Sequence, residues 1–99
     1  MIKVEVKKIE NIAHVFIDSR YKNIYLSAVV SNRGRELVFL PESERGYGIV
    51  YPASHTNFIY KINDKRYYFC FNTKSGTSYK ITIFFRRGKA KGEKEVWVV

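Results

Sequence analysis

Residues 57–87 read NFIYKINDKRYYFCFNTKSGTSYKITIFFRR. Aromatic and β-branched residues recur at alternate positions, and the run is broken only by the turn-forming pairs Asn63-Asp64 and Ser75-Gly76. Alternation with period two is the signature of a strand with one buried face. Asn63-Asp64 as a two-residue loop sets Tyr60 opposite Tyr67 and Phe58 opposite Phe69. Lys74-Ser75-Gly76 as a three-residue loop, with the glycine left-handed, sets Phe71 opposite Tyr79, Phe69 opposite Ile81 and Tyr67 opposite Ile83. A two-residue loop there would put Phe71 against Lys80, because a slip of one residue inverts every side chain.

The same pattern extends outward. Strands are predicted over 2–9, 12–18, 23–30, 35–40, 47–51, 57–62, 65–73, 78–87 and 94–99, and no window carries a helical stripe. Glu10-Asn11 closes the first hairpin, placing Val6 opposite Val15, Val4 opposite Ile17, Lys7 opposite His14 and Lys3 opposite Asp18. Asn32-Arg33-Gly34 closes another, with Leu26 opposite Leu40 and Ala28 opposite Val38. Two antiparallel meanders result, 2–40 and 57–99, joined through 41–56. Two apolar sheet faces in a chain of 99 residues must cover each other, so the expectation is one all-β domain over 1–99. A two-sheet β-sandwich and an antiparallel β-barrel of roughly eight or nine short strands both satisfy it.

Composition bounds the setting. No stretch approaches the roughly 18 apolar residues of a membrane span, and MIKVEVKKIE at the start lacks the continuous apolar region of a signal peptide. The single cysteine, Cys70, has no internal disulfide partner, which makes a reducing, cytoplasmic location the expectation. The charge is the strongest signal, with 18 Lys+Arg against 9 Asp+Glu and a net +9. It is also uneven. Residues 51–92 hold nine cations and one acid, Asp64, so this segment carries +8 of that total. Such asymmetry points to a polyanionic partner. A thermophile's surface is the competing explanation: the chain lacks Gln, but thermophile surfaces mix both signs and this half does not.

Alternation also defines the face opposite the core: Ile59 and Lys61, then Arg66, Tyr68 and Cys70, then Lys80, Thr82, Phe84 and Arg86. The registers above place Lys61 opposite Arg66, Ile59 opposite Tyr68, Tyr68 opposite Thr82 and Arg66 opposite Phe84. Exposed rings framed by cations form the stacking platform of single-strand nucleic-acid binders, where cations track phosphate and rings take bases. Single-stranded RNA or DNA is therefore the expected partner, bound without catalysis by Lys61, Arg66, Tyr68, Lys80, Phe84, Arg86, Arg87, Lys89 and Lys91. The last two sit in a loop, 88–92, that swings onto the backbone. Trp97 is expected in the core, since tryptophan is well buried on average.

Two alternatives use these residues differently. One is a structural or protein-interaction module that forms a homo-oligomer through the same aromatic face. The other is a metal-independent ribonuclease with His55 as general base, assisted by Tyr51 or Lys61. His14, His55 and Cys70 have no zinc-ligand spacing, and no phosphate loop or nucleophile elbow is present, so neither metal nor cofactor is expected. The run RYYFCF at 66–71 lacks the glycines of an RNA-recognition motif, and the chain lacks that fold's helices, so no family resemblance is drawn.

Overall fold

The computed structural model describes residues 1–42 and 56–99, which fold into an all-β, nearly closed barrel. Its strands are β1 (Ile2–Ile9), β2 (Ile12–Ser19), β3 (Tyr25–Asn32), β4 (Arg35–Pro41), β5 (Thr56–Asn63), β6 (Arg66–Asn72), β7 (Tyr79–Arg87) and β8 (Ala90–Val98). They form one sheet in the order β1-β2-β6-β5-β4-β3-β7-β8. Every pairing is antiparallel except β4 with β5, which is parallel. The expected strand 47–51, together with Tyr51 and His55, lies outside the described residues. Among the described residues no helix is long and apolar enough to cross a membrane.

Of the two expected architectures the barrel is the one formed, but the strand order within it is not that of two meanders. β6 and β7 do not form a hairpin: β6 lies between β2 and β5, and β7 between β3 and β8. The connection between them crosses the end of the barrel, held by Thr73 N donating to Asn11 O at 2.7 Å and Lys74 N donating to the Tyr79 hydroxyl at 2.9 Å. Phe71 and Tyr79 do meet, with ring centroids 5.5 Å apart, but through the interior rather than across a ladder. Alternation assigns side chains to faces; it does not say whether two inward rows are adjacent on a sheet or opposed across a core.

The face assignments of β2, β6 and β7 are as the pattern dictates. Ala13, Val15, Ile17, Tyr67, Phe69, Phe71, Tyr79, Ile81 and Ile83 are buried, joined by Leu26, Ala28 and Val30 from β3. The first hairpin has the expected register, with Val6 opposite Val15 and Val4 opposite Ile17.

Three turns differ, and each moves side chains. Arg33 and Gly34, at φ 48° and 81°, form a two-residue left-handed turn, so Ala28 pairs with Phe39 rather than Val38. Phe39 then enters the core against Phe69, with centroids 4.4 Å apart. The β5–β6 reversal falls at Asp64-Lys65, with an irregularity between Lys61 and Asn63, and Asn63 Oδ1 accepts from Lys65 N at 2.9 Å. This inverts β5: Ile59 is 2% exposed, whereas Tyr60 and Ile62 are 44% and 53% exposed. Finally, residues 88–92 are not a loop. Gly88 (φ 60°) and Lys89 make a tight turn, and β8 begins at Ala90.

Candidate functional site

The strand directions bring eight termini to one end of the barrel: the starts of β1, β3, β6 and β8 and the finishes of β2, β4, β5 and β7. The connection between β2 and β3 is pinned to the β5–β6 turn there. Ser19 N donates to Lys65 O at 2.8 Å, and Asn23 N to Asp64 O at 3.1 Å. Buried Ser19 Oγ accepts from Tyr21 N at 3.0 Å and donates to Tyr21 O at 2.7 Å, which fixes the exit of the chain from β2.

This end is strongly cationic. Among the described residues Lys3, Arg20, Lys22, Lys61, Lys65, Arg66, Arg86, Arg87, Lys89 and Lys91 meet only three carboxylates, Asp18, Glu42 and Asp64. Arg66 pairs with Asp18 at 3.7 Å, and Lys61 with Asp64 at 3.4 Å and with Asn23 Oδ1 at 2.6 Å. Both ion pairs are half-exposed, so each contributes little and leaves the surrounding field positive. No ion pair with a described residue reaches Arg86, Arg87, Lys89 or Lys91. Arg86 stands directly opposite Lys91, a like-charge pair that favours a bound anion. The like-charge pair expected between Lys61 and Arg66 is absent, because the altered turn sets Lys61 opposite Tyr67 and Asn63 opposite Arg66.

Three arginines at this end are seated on rings. The guanidinium carbon of Arg87 lies 4.1 Å from the Tyr21 centroid, that of Arg86 4.6 Å from Tyr25, and that of Arg66 4.8 Å from Phe16. A ring contact holds the planar group by one face; the N–H edges of Arg86 and Arg87 then carry no ion pair among the described residues, while Arg66 also faces Asp18. Beneath the rim a cavity of about 510 Å³ opens between Ile24, Leu26, Ile59 and Tyr67, with Lys61, Asn23 and Glu42 at its mouth. Burial pushes the Tyr67 phenol above its ordinary value, so it stays protonated and donates to Asp64 O at 3.4 Å.

The outward face of β3, β7 and β8 runs away from this end in cross-strand rows. Tyr25, Arg86 and Lys91 form the first; then come Ser27, Phe84 and Glu93; then Val29, Thr82 and Glu95; then Ser31, Lys80 and Trp97. Phe84 is 39% exposed. Trp97, expected in the core, is instead 63% exposed. Val98 is buried against the core and Trp97 alternates with it, so the indole points out. The Val-Trp-Val alternation carries that signal in the sequence, but only once the register of this strand is known.

Tyr68 belongs to a separate cluster. Three strands separate β6 from β7, so the expected pairings of Tyr68 with Thr82 and of Arg66 with Phe84 do not form. Tyr68 stacks instead on His14 at 5.9 Å and tilts against Phe16 at 5.1 Å, with its hydroxyl 2.7 Å from His14 Nδ1. Burial, helped by the Cys70 thiol alongside, pushes the Tyr68 phenol up to about 12. Cys70 is exposed, and the described residues contain no group of three or more potential metal ligands.

Of the nine residues singled out by sequence, then, six share the cationic end: Lys61, Arg66, Arg86, Arg87, Lys89 and Lys91. Phe84 and Lys80 continue from it along β7, and Tyr68 stands apart. No protein family, curated protein or solved structure matches this chain, so function rests on the geometry.

Proposed function

We propose that the protein binds single-stranded nucleic acid at its cationic end and along the outward face of β3, β7 and β8. The observation that supports this best is the set Arg86, Arg87, Lys89 and Lys91: four cations with no ion pair among the described residues, two of them braced on rings, beside exposed Phe84. Phosphates displace counterions at the cations, while an unpaired base covers the Phe84 ring. A base–aromatic stack contributes roughly 1–3 kcal/mol and needs a π-face that the base stack of a duplex covers. The mechanism is occupancy alone, with no bond made or broken.

Fluorescence anisotropy of labelled oligothymidylate and oligouridylate, against a hairpin duplex, tests the proposal over a range of salt. Single strands should bind more tightly than the duplex, and log affinity should fall linearly with log salt. Self-association through the same rings would show the opposite salt behaviour, since apolar contact is not weakened by salt. Absence of binding to any oligonucleotide at low salt refutes the proposal.

A further inference from the structure

The row farthest from the cationic end, Ser31, Lys80 and Trp97, borders a polar notch of about 430 Å³. The notch is walled by Arg33 from the β3–β4 turn and by Thr77 and Ser78 ahead of β7. Trp97 leaves 63% of its surface in water there, beside two cations and several hydroxyls. We infer that Trp97 is a second base-stacking position, with Lys80 and Arg33 holding the adjoining phosphate. This rests on the nucleic-acid reading above and adds to it a strand path and a second anchor.

Spacing supports two separate anchors rather than one. Phe84 and Lys80 are four residues apart on β7, about 13 Å, and Trp97 lies one strand across, about 5 Å further. Successive stacked bases are only about 3.4 Å apart along a strand. The two rings therefore hold non-adjacent bases, and the nucleotides between them cross Thr82. Charge sets the side on which they cross. Glu93 beside Phe84 and Glu95 in the intervening row occupy the β8 side, Glu95 reaching Lys80 at 4.0 Å, while Ser27 and Val29 line the β3 side. A polyanion is thus steered along β3 and β7 and meets Trp97 only at the Lys80 row.

Trp97 is the single tryptophan of the chain, so its emission reports this position alone when excited at the red edge of the protein spectrum. Titration with unlabelled oligothymidylate should quench it, whereas inorganic polyphosphate, which has charge but no bases, should bind without quenching. Trp97→Ala should weaken oligothymidylate binding by roughly 5- to 140-fold, the equivalent of one stacked base, with the salt slope unchanged. Trp97→Phe should recover part of the loss. Because the indole is largely exposed, both variants should melt as the parent does, which a thermal scan checks.

If the oligonucleotide binds while Trp97 emission stays constant and Trp97→Ala binds like the parent, this second anchor is refuted and the cationic-end proposal stands. Equal quenching by polyphosphate also refutes it, since charge alone then moves the signal. Emission that shifts with protein concentration and no ligand assigns Trp97 to contact with a second copy, again refuting it. If no oligonucleotide binds at low salt, both proposals fall together.

Discussion

Replacing Arg86, Arg87, Lys89 and Lys91 together by alanine should flatten the salt dependence of binding by a calculable amount. Each single-strand phosphate contact contributes about 0.7 to the slope of log affinity against log salt, so four contacts contribute about 2.8. Over a fourfold rise in salt the parent's affinity should then fall roughly 50-fold more than the variant's. None of these four is in an ion pair among the described residues, so each is open to a phosphate. Arg66 and Lys61 each face a carboxylate, so Asp18→Asn and Asp64→Asn should instead steepen the slope by freeing a cation. The assay is anisotropy of labelled oligothymidylate at several salt concentrations. Lys7→Ala/Lys8→Ala, at the opposite end of the barrel, is the control. Equal flattening by that control would mean that the whole charged surface binds diffusely, and the argument for a localised site would be refuted.

Other consequences are independent of any ligand. Alanine at Ile59 should cost about 2–5 kcal/mol in denaturant unfolding, while alanine at Tyr60 or Ile62 should cost about 1 kcal/mol or less; the reverse ranking would restore the register expected from sequence. Gly92→Ala would place a Cβ 2.5 Å from Phe85 Cζ and 2.7 Å from Cε2. That overpacking should cost about 1–3 kcal/mol, read as a lower Tm, and a neutral result would show that the ring does not lie over the glycine. Alkaline titration should expose Tyr68. Below pH 10 the phenol is protonated in both states, but between 10.0 and about 12 only the unfolded chain ionises, so stability should fall as pH rises through that window. Tyr68→Phe should reduce the fall, and an unchanged profile would contradict the raised phenol.

Period-two alternation made the inward rows of β2, β6 and β7 legible, because burial acts on each residue locally and leaves a mark at each position. Strand neighbours leave no such mark. Phe71 faces Tyr79 equally well across a ladder or across a core, and only the barrel distinguishes the two. The misplaced registers share one cause. Asn32-Arg33-Gly34 and Asn63-Asp64 each offer more than one set of turn residues, and a shift of one residue exchanged Val38 for Phe39 and Tyr60 for Ile59 in the core. At the site, charge density was legible, because lysines and arginines gather in 51–92 whatever the fold. The cations added from Arg20 and Lys22 were not, since their place depends on the β2–β3 connection being pinned to Lys65 and Asp64. Trp97 was missed because a loop over 88–92 leaves the register of its strand open, whereas the tight turn at Gly88-Lys89 fixes it.

The separation of β2 from β3 has a temporal meaning. These strands follow one another in the chain, yet they occupy the second and sixth places of the eight-stranded sheet. The first 42 residues therefore hold two hairpins, β1–β2 and β3–β4, with no ladder between them. Each waits for a strand made much later: β2 for Arg66–Asn72, and β3 for Tyr79–Arg87. As the chain is synthesised, the inner edges of β2 and β3 stay open until those segments emerge. Contacts of such long sequence separation fold slowly and leave edges available to other chains in the meantime.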